Sequence, residues 1–379
     1  MNAHTFIPPG AWLGVLGGGQ LARMFVHAAQ ALGYKVCVLD PAPECPAAQV
    51  ADDQLIAAYD DPVVLAEFAR KVAAVTTEFE NVPATSLRTL ALTRPVAPRA
   101  ESVSIAQDRR KEKAFFTEHG LPVGPHAAIE SEQSDFAHVK FPAILKTATL
   151  GYDGKGQTTV HSASEVLQAW RAFGAVPCML EERIDLALEV SVLVARNAGG
   201  DTKVFPIQEN QHRNGILDLT IVPARIEGAL SARATDLAEK VVRALDYVGV
   251  LCIEMFVSKQ GALLLNEIAP RPHNSGHYSI EACETSQFSQ QVRAMVNAPL
   301  GDTRLLTPAV MVNVLGDCWR TGEPEWAPVL AVPGSHVHLY GKAQAKPGRK
   351  MGHVTCTAAT LNSALERAAR VKQLLGIAE

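Results

Sequence analysis

Several protein classes are excluded by what the sequence lacks. Its seven cysteines, Cys37, Cys45, Cys178, Cys252, Cys283, Cys318 and Cys356, stand singly, are odd in number and form no C-x-x-C pair. That pattern argues against a disulfide framework or a zinc site and for free thiols in a reducing cytoplasm. No apolar run is long enough for a membrane helix. The start, MNAHTFIPPG, has no basic region followed by an apolar core, so it does not read as a secretory signal. There is no Lys/Arg-rich run and the formal net charge is −4, which argues against a nucleic-acid-coating role. No G-x-x-x-x-G-K-[ST] occurs, so a P-loop is absent.

What is present describes a globular protein, with 47% hydrophobic and 20% charged residues. At 379 residues it is too long for one ordinary core, so two or three domains are expected.

The most informative stretch is VLCIEMFVSKQGALLLNEIAPRPHNSGH, residues 250–277. Two apolar segments flank Lys259-Gln260-Gly261 and read as a hairpin. With Gln260 and Gly261 as a two-residue loop, Glu254 falls opposite Glu267. Facing carboxylates repel unless something positive lies between them, and paired hard oxygens suit Mg²⁺. The alternative is one solvated Glu and one paired with a Lys or Arg. The following loop crowds Arg271, His273, Asn274, Ser275 and His277 beside the second carboxylate. Pro270, Pro272 and Gly276 keep it out of regular helix.

Upstream, Trp12–Leu16 reads as a strand, Gly17–Gly19 as a turn, Gln20–Leu32 as a helix ended by Gly33, and Lys35–Leu39 as a second strand. This is an α/β unit with parallel pairing. The turn is expected to leave backbone N–H groups free for a phosphate. Gly17-x-Gly19-x-x-Ala22 with Asp40 approximates a dinucleotide fingerprint, which makes an NAD-dependent oxidoreductase the rival reading; the plain alternative is a close-packing turn. Glu78 and Glu80 leave the end of the strand at 73–77, where α/β sheets bind ligands. Residues 94–98 read as a linker. Arg109, Arg110, Lys111 and Lys113 read as a solvated helix face.

Lys146 lies inside an apolar strand and needs a partner, either phosphate or a buried carboxylate. Gly151, Tyr152, Asp153, Gly154, Lys155, Gly156 and Gln157 form a glycine-rich loop able to cover a polyphosphate. A strand at 178–182 ends in Glu181, Glu182, Arg183 and Ile184, whose backbone edge could read an adenine ring. Glu189 opens the next strand, and polar residues 208–214 include His212. Near the C-terminus, His336 and His338 alternate on one strand face and read as surface or packing residues. A closing helix covers residues 361–375.

The segments LGGGQLARM, TTEFENVP, AQDRRKEK, LKTATLGYDGKGQ, EERI, LLNEIAPRPHNSGH and KPGRKMGH are similar to those of ATP-grasp carboxylate–amine ligases. Within that class the sequence resembles the 5-(carboxyamino)imidazole ribonucleotide synthetase family of purine biosynthesis, over residues 12 to 353. The resemblance implies a mixed α/β and α+β architecture: a Rossmann-like pre-ATP-grasp domain (1–100), an ATP-grasp domain (101–300, lid about 121–185) and a small β-rich C-terminal domain (301–379). It implies ATP contacts at Arg109, Lys146, residues 151–157, Glu181–Ile184, Glu189, His212, Asn266 and Glu267, and magnesium at Glu254 and Glu267. Ala269 stands where many relatives carry a third metal-site side chain. Asn266 would point away from the site on an ideal strand, so its contact requires a bend or a backbone contribution.

The implied reaction joins bicarbonate to the amine of 5-aminoimidazole ribonucleotide at the expense of ATP, through carboxyphosphate. Lys155 and Arg271 are expected to steady that intermediate, and Tyr152 and His273 to handle the proton and the amine. Gly19, Gln20, Leu21, Glu78, Asn274, Ser275, Lys342, Arg349 and Lys350 are expected at the ribonucleotide. The resemblance further implies a cytoplasmic homodimer. Another ATP-grasp ligase acting on a different carboxylate is the nearer alternative, and the NAD-dependent oxidoreductase the more distant one.

Overall fold

The computed structural model describes residues 5–151 and 156–378. Three sheets organise these residues. The first is wholly parallel, in the order Asp53–Leu55, Lys35–Leu39, Trp12–Leu16, Ala74–Thr77. Trp12–Leu16, Lys35–Leu39 and Ala74–Thr77 are short and mostly buried, as parallel strands covered on both faces require, whereas the edge strand Asp53–Leu55 is polar and half-buried. The Gln20–Ala31 helix buries Leu21, Met24, Phe25 and Val26, and Gly33 follows at φ +82°, a left-handed turn that suits glycine. Residues 94–98 are not a free linker. Val96 bridges Val75 in parallel, and Ala97 O accepts a hydrogen bond from Gln291 Nε2 at 3.1 Å.

The second sheet is antiparallel. Its main path runs Leu263–Ala269, Gly249–Ser258, Leu186–Arg196, Gln208–Arg213, Ile216–Val222, Ala309–Leu315, Lys350–Thr357, Ser335–Leu339. Residues 208–213, polar in sequence, are therefore a strand. The C-terminal strands extend this same sheet through Ile216–Val222. The Gly228–Ala244 and Arg109–Glu118 helices cover its core, placing Leu237, Val241, Phe115 and Phe116 against Val192, Leu251 and Ile253.

The third sheet orders His126–Ile129, Cys178–Glu182, Ala143–Thr147 and Gln157–Val160, all antiparallel, with the Ala163–Ala172 helix behind it. Lys146 faces Gln157 across this sheet, so the glycine-rich loop leaves from the end of that pair. Among the described residues no helix is long and apolar enough to cross a membrane.

Candidate active site

Glu254 does stand opposite Glu267, but not through a two-residue loop. Ser258 N donates to Ala262 O and Gly261 N to Ser258 O, each at 2.9 Å, so Lys259, Gln260 and Gly261 form a three-residue loop. Gly261 takes φ +80° there. Val257 pairs with Leu263 and Met255 with Leu265, a register that by itself would set Glu254 against Asn266. A bulge at Asn266 inserts one residue and restores the carboxylate pair. It also supplies the bend Asn266 needs, and Asn266 and Glu267 both line a cleft of about 360 Å³.

The bulge is gripped from the Arg109–Glu118 helix. Arg109, Glu112 and Lys113 lie at i, i+3 and i+4, hence on one face. Arg109 NH1 reaches Glu267 Oε2 at 2.8 Å, Glu112 Oε1 accepts from Ile268 N at 2.7 Å, and Lys113 Nζ donates to Asn266 O at 2.7 Å. Three successive residues of the sheet's edge strand are thus held by three helix side chains, two at backbone groups and one at the Glu267 carboxylate. The solvated-face expectation for this helix is corrected at Arg109 and Lys113. Lys113 is only 3% exposed, and its ammonium also stands 3.5 Å from Glu181.

Burial raises the pKa of both facing carboxylates, and their charged neighbours then split the pair. Glu267 across the ladder adds to the rise at Glu254, whereas Arg109 pulls Glu267 below the usual range. Burial pushes Glu112 up to about 8. Two facing hard carboxylates on a polar cleft fit Mg²⁺, whose charge would relieve their repulsion.

Lys146 lines the same cleft, and of its two candidate partners the carboxylate is present: Glu181 Oε2 at 3.0 Å. Burial opposes that carboxylate's charge, but Lys113, Lys146 and Arg109 outweigh it and hold Glu181 down at about 2. Glu181 backs Lys146 and is not on the cleft lining, and neither are Glu182, which ends that strand opposite Ala143, nor Arg183 and Ile184 just beyond it. Glu189 and His212 line the cleft as a pair, Oε2 to Nδ1 at 2.8 Å. Burial draws the imidazole pKa down, and Glu189 more than compensates, holding it above its ordinary value. Gly151 and Gln157 line the cleft, and Gly156 O accepts from Thr147 N at 2.8 Å. Tyr152, Asp153, Gly154 and Lys155 lie outside the described residues.

The loop after the hairpin is fixed by Gln287, which sequence reasoning missed. Its carboxamide accepts from His273 N and donates to His273 O, both at 2.8 Å. Gly276 packs so tightly that a Cβ would collide with Gln287 and Leu193. Ser275 is fully buried, with Oγ 2.9 Å from His273 Nδ1 and 2.8 Å from Ser191 Oγ. His273 Nε2 faces Glu254 Oε1 at 3.2 Å, so both ring nitrogens are engaged. Asn274 lines the cleft with both amide atoms buried and without a hydrogen-bond partner. Such a group is rare in a folded protein and calls for a ligand or water.

Arg271 lines the cleft with its Nε 2.6 Å from Glu80 Oε2. Of the basic residues expected at the ribonucleotide phosphate, Lys350 lines the cleft. Lys342 Nζ donates to Lys350 O at 2.7 Å and Arg349 NH1 to Gln344 O at 2.9 Å, so these two brace the loop outside the lining.

The expectation of free N–H groups at the 17–20 turn is corrected. Asp40 Oδ2 accepts from Gly18 N at 2.7 Å, and Glu78 accepts from Gly19 N at 2.6 Å and from Ala22 N at 3.1 Å. A Cβ on Gly18 would strike Cys45, and one on Gly19 would strike Glu78. The glycines therefore serve close packing, and a carboxylate sits where the oxidoreductase reading would put a pyrophosphate. Asp40 is also taken, by Tyr59 OH at 2.7 Å. Neither Glu78 nor Gly19, Gln20 and Leu21 is on the cleft lining.

A lysine strand, a glycine loop leaving it and a bulged two-carboxylate hairpin around one polar cleft define an ATP-grasp ligase. Family models agree segment by segment: a ribonucleotide synthetase preATP-grasp domain matches residues 11–107, an ATP-grasp domain 114–288, and a phosphoribosylaminoimidazole carboxylase C-terminal domain 309–367. The chain is 45% identical over 358 residues to the N5-carboxyaminoimidazole ribonucleotide synthase of Brucella melitensis, covering 93% of this chain and 97% of that one. It is 41% identical over 356 residues to that of Bacillus subtilis, covering 93% of each. A solved N5-carboxyaminoimidazole ribonucleotide synthetase in complex with ADP superposes with a TM-score of 0.91 at 42% identity, covering 100% of this chain and 98% of that one. The Aspergillus clavatus synthase bound to ADP and 5-aminoimidazole ribonucleotide gives 0.88 at 29% identity, covering 99% of each. The chain belongs to the N5-carboxyaminoimidazole ribonucleotide synthase family.

Proposed function

We propose that the cleft joins bicarbonate to the amine of 5-aminoimidazole ribonucleotide, with ATP converted to ADP and phosphate. The observation that carries the reading is the Glu254–Glu267 pair lining one cleft with Lys146 and with Arg109, which is bonded to Glu267. Lys146 and Arg109 offer fixed positive charge to the ATP phosphates, and the strand end at Glu181–Ile184 is the candidate adenine edge. Glu254 and Glu267 would hold Mg²⁺, which when bound neutralises phosphate charge. Bicarbonate oxygen attacks the γ-phosphorus and ADP leaves; the carboxyphosphate splits to CO₂ and phosphate; the amine nitrogen bonds the carbon and sheds a proton.

The protein's part is placement and charge rather than covalent catalysis. Arg271, pre-oriented by Glu80, steadies the anionic intermediate, and the unpartnered Asn274 amide is positioned for the carboxyl group or the amine. His273, neutral because burial holds its pKa far below the usual value, keeps Glu254 oriented. Lys350 is the candidate contact for the ribonucleotide phosphate. Tyr152 and Lys155 complete the proposed set. Seven cysteines without a disulfide support a reducing, cytoplasmic setting, and the family resemblance extends the reading to a homodimer.

The test is phosphate release with ATP, magnesium, ribonucleotide and bicarbonate, each omitted in turn. Turnover should require magnesium and rise with the ribonucleotide. Glu267→Ala should lower kcat by about 10²-fold or more, the scale of removing one preorganised electrostatic group. Ribonucleotide-independent turnover would sink the assignment.

A further inference from the structure

Among the described residues, one set of three side chains offers a mixed metal-ligating group. Cys252 Sγ, a Glu254 carboxylate oxygen and a His273 ring nitrogen all lie within 4.8 Å of one another. Cys252 and Glu254 are two apart on the Gly249–Ser258 strand and so share its face. His273 comes down on them from the Asn274–Gly276 turn. Cys252 is fully buried, while Glu254 and His273 are each 15% exposed at the cleft, which gives an ion a way in. Ser275 Oγ lies 2.9 Å from His273 Nδ1, the kind of outer contact that orients a metal-bound imidazole.

The donor chemistry differs from that of the Glu254–Glu267 pair. Magnesium takes oxygen ligands only, whereas thiolate, carboxylate and imidazole together suit Zn²⁺ or Co²⁺ in tetrahedral geometry. One thiolate and one carboxylate also balance the charge of a divalent ion. We propose that Cys252, Glu254 and His273 form a site for zinc-like cations overlapping the magnesium pair, and that zinc inhibits the enzyme by withdrawing Glu254 from magnesium. On binding, the thiol S–H gives its proton to solvent through the cleft. The imidazole binds through Nε2 with its proton on Nδ1, where Ser275 Oγ accepts it, and Ser275 N–H gives up its 3.3 Å hydrogen bond to Nδ1. The fourth position stays open toward the cleft.

The site itself does not depend on the ligase reading; only its inhibitory consequence does. The test titrates metal-free full-length protein with Co²⁺ and no substrate. Wild type should develop a thiolate-to-cobalt charge-transfer band that saturates at one equivalent and collapses when Zn²⁺ is added. Cys252→Ser should lack the band, and Cys252→Ala gives the same readout if serine retains weak ligation. In turnover assays with magnesium, Cys252→Ser should stay active and need at least about tenfold more zinc for half inhibition, since loss of a mere supporting partner already costs ~10–100-fold in affinity. Absence of the band in wild type, or its survival in both Cys252 variants, overturns the site and leaves the ligase reading standing. A normal band with no ribonucleotide-stimulated turnover overturns the ligase reading and leaves the site.

Discussion

At Glu78, two hydrogen bonds decide what a sequence motif means. Gly17-x-Gly19-x-x-Ala22 satisfies most of a dinucleotide fingerprint, and Asp40 stands where a ribose partner would. Yet Glu78, arriving from the neighbouring strand, places its carboxylate on Gly19 N and Ala22 N. It acts as a capping anion supplied in trans to the Gln20–Ala31 helix, favoured by the positive end of the helix dipole. Glu78→Ala should cost about 1 kcal/mol, the usual value of a lost N-terminal cap, read as a shift in denaturant midpoint with unchanged slope. Glu78→Gln, which keeps an acceptor, should lose less. Equal losses for the two variants would show that the hydrogen bonds contribute nothing. The same scale explains Lys146: its need for a partner was legible from an apolar strand, but which partner depended on Glu181 lying across the sheet.

At the scale of elements, the helix–bulge clamp is the main finding. The i, i+3, i+4 spacing of Arg109, Glu112 and Lys113 is visible in the sequence and was the one available signal for them. It could not distinguish a solvated face from a buried one, because burial depends on the Leu263–Ala269 strand passing over it. Lys113→Met should be severe. It leaves Asn266 O without its donor and deprives Glu181 of one of its compensating charges, a loss of about 3–5 kcal/mol for a broken buried charge network. Lys113→Met should also weaken ADP binding in calorimetry, because the bulge that aims Asn266 and Glu267 loses its hold. Unchanged ADP affinity in a folded Lys113→Met protein would confine the lysine to stability. The hairpin carries a related lesson. A two-residue loop and a three-residue loop with a later bulge put the same residues opposite each other, so the sequence yielded the right pair from the wrong register. A glycine at the loop's end marks the turn, but nothing in the local chain marks the bulge.

Across the whole molecule, histidines join distant segments. His277 stacks on His353 at 4.6 Å between centroids, and His353 on His338 at 4.5 Å, while His338 Nε2 meets Glu281 at 2.6 Å. His338 is thus a packing residue, one of the two readings its strand pattern left open, and the stack ties the C-terminal strands to the loop bearing His273 and Asn274. Burial first, then the neighbouring histidines, hold His277 and His353 well below the usual value. A histidine whose folded pKa is depressed contributes stability that is present above its unfolded pKa of about 6.5 and is lost as pH falls toward the folded value. Below that point the unfolded chain takes up protons the folded chain refuses. Stability should therefore fall by up to about 1.4 kcal/mol per pH unit for each of the two rings between pH 6.5 and pH 5. Denaturation midpoints across that range check this, and His353→Gln should flatten the slope by about one proton. An unchanged slope in that variant would remove His353 from the linkage.

Much of the architecture followed from the chain alone, because hydrophobic periodicity, glycine stops and motif spacing are local properties. They marked the parallel unit, the lysine strand, the hairpin and the family likeness. The tertiary structure alone decided who faces whom. It set Glu78 against the glycine turn, Lys113 under the bulge, Gln287 behind His273 and His273 over Cys252 and Glu254. Single cysteines read along the chain argue against a zinc motif, yet a strand face and a distant turn bring together three side chains that could hold an ion. Such contacts span tens to hundreds of residues, and only the packed sheets and helices fix their distances and their burial.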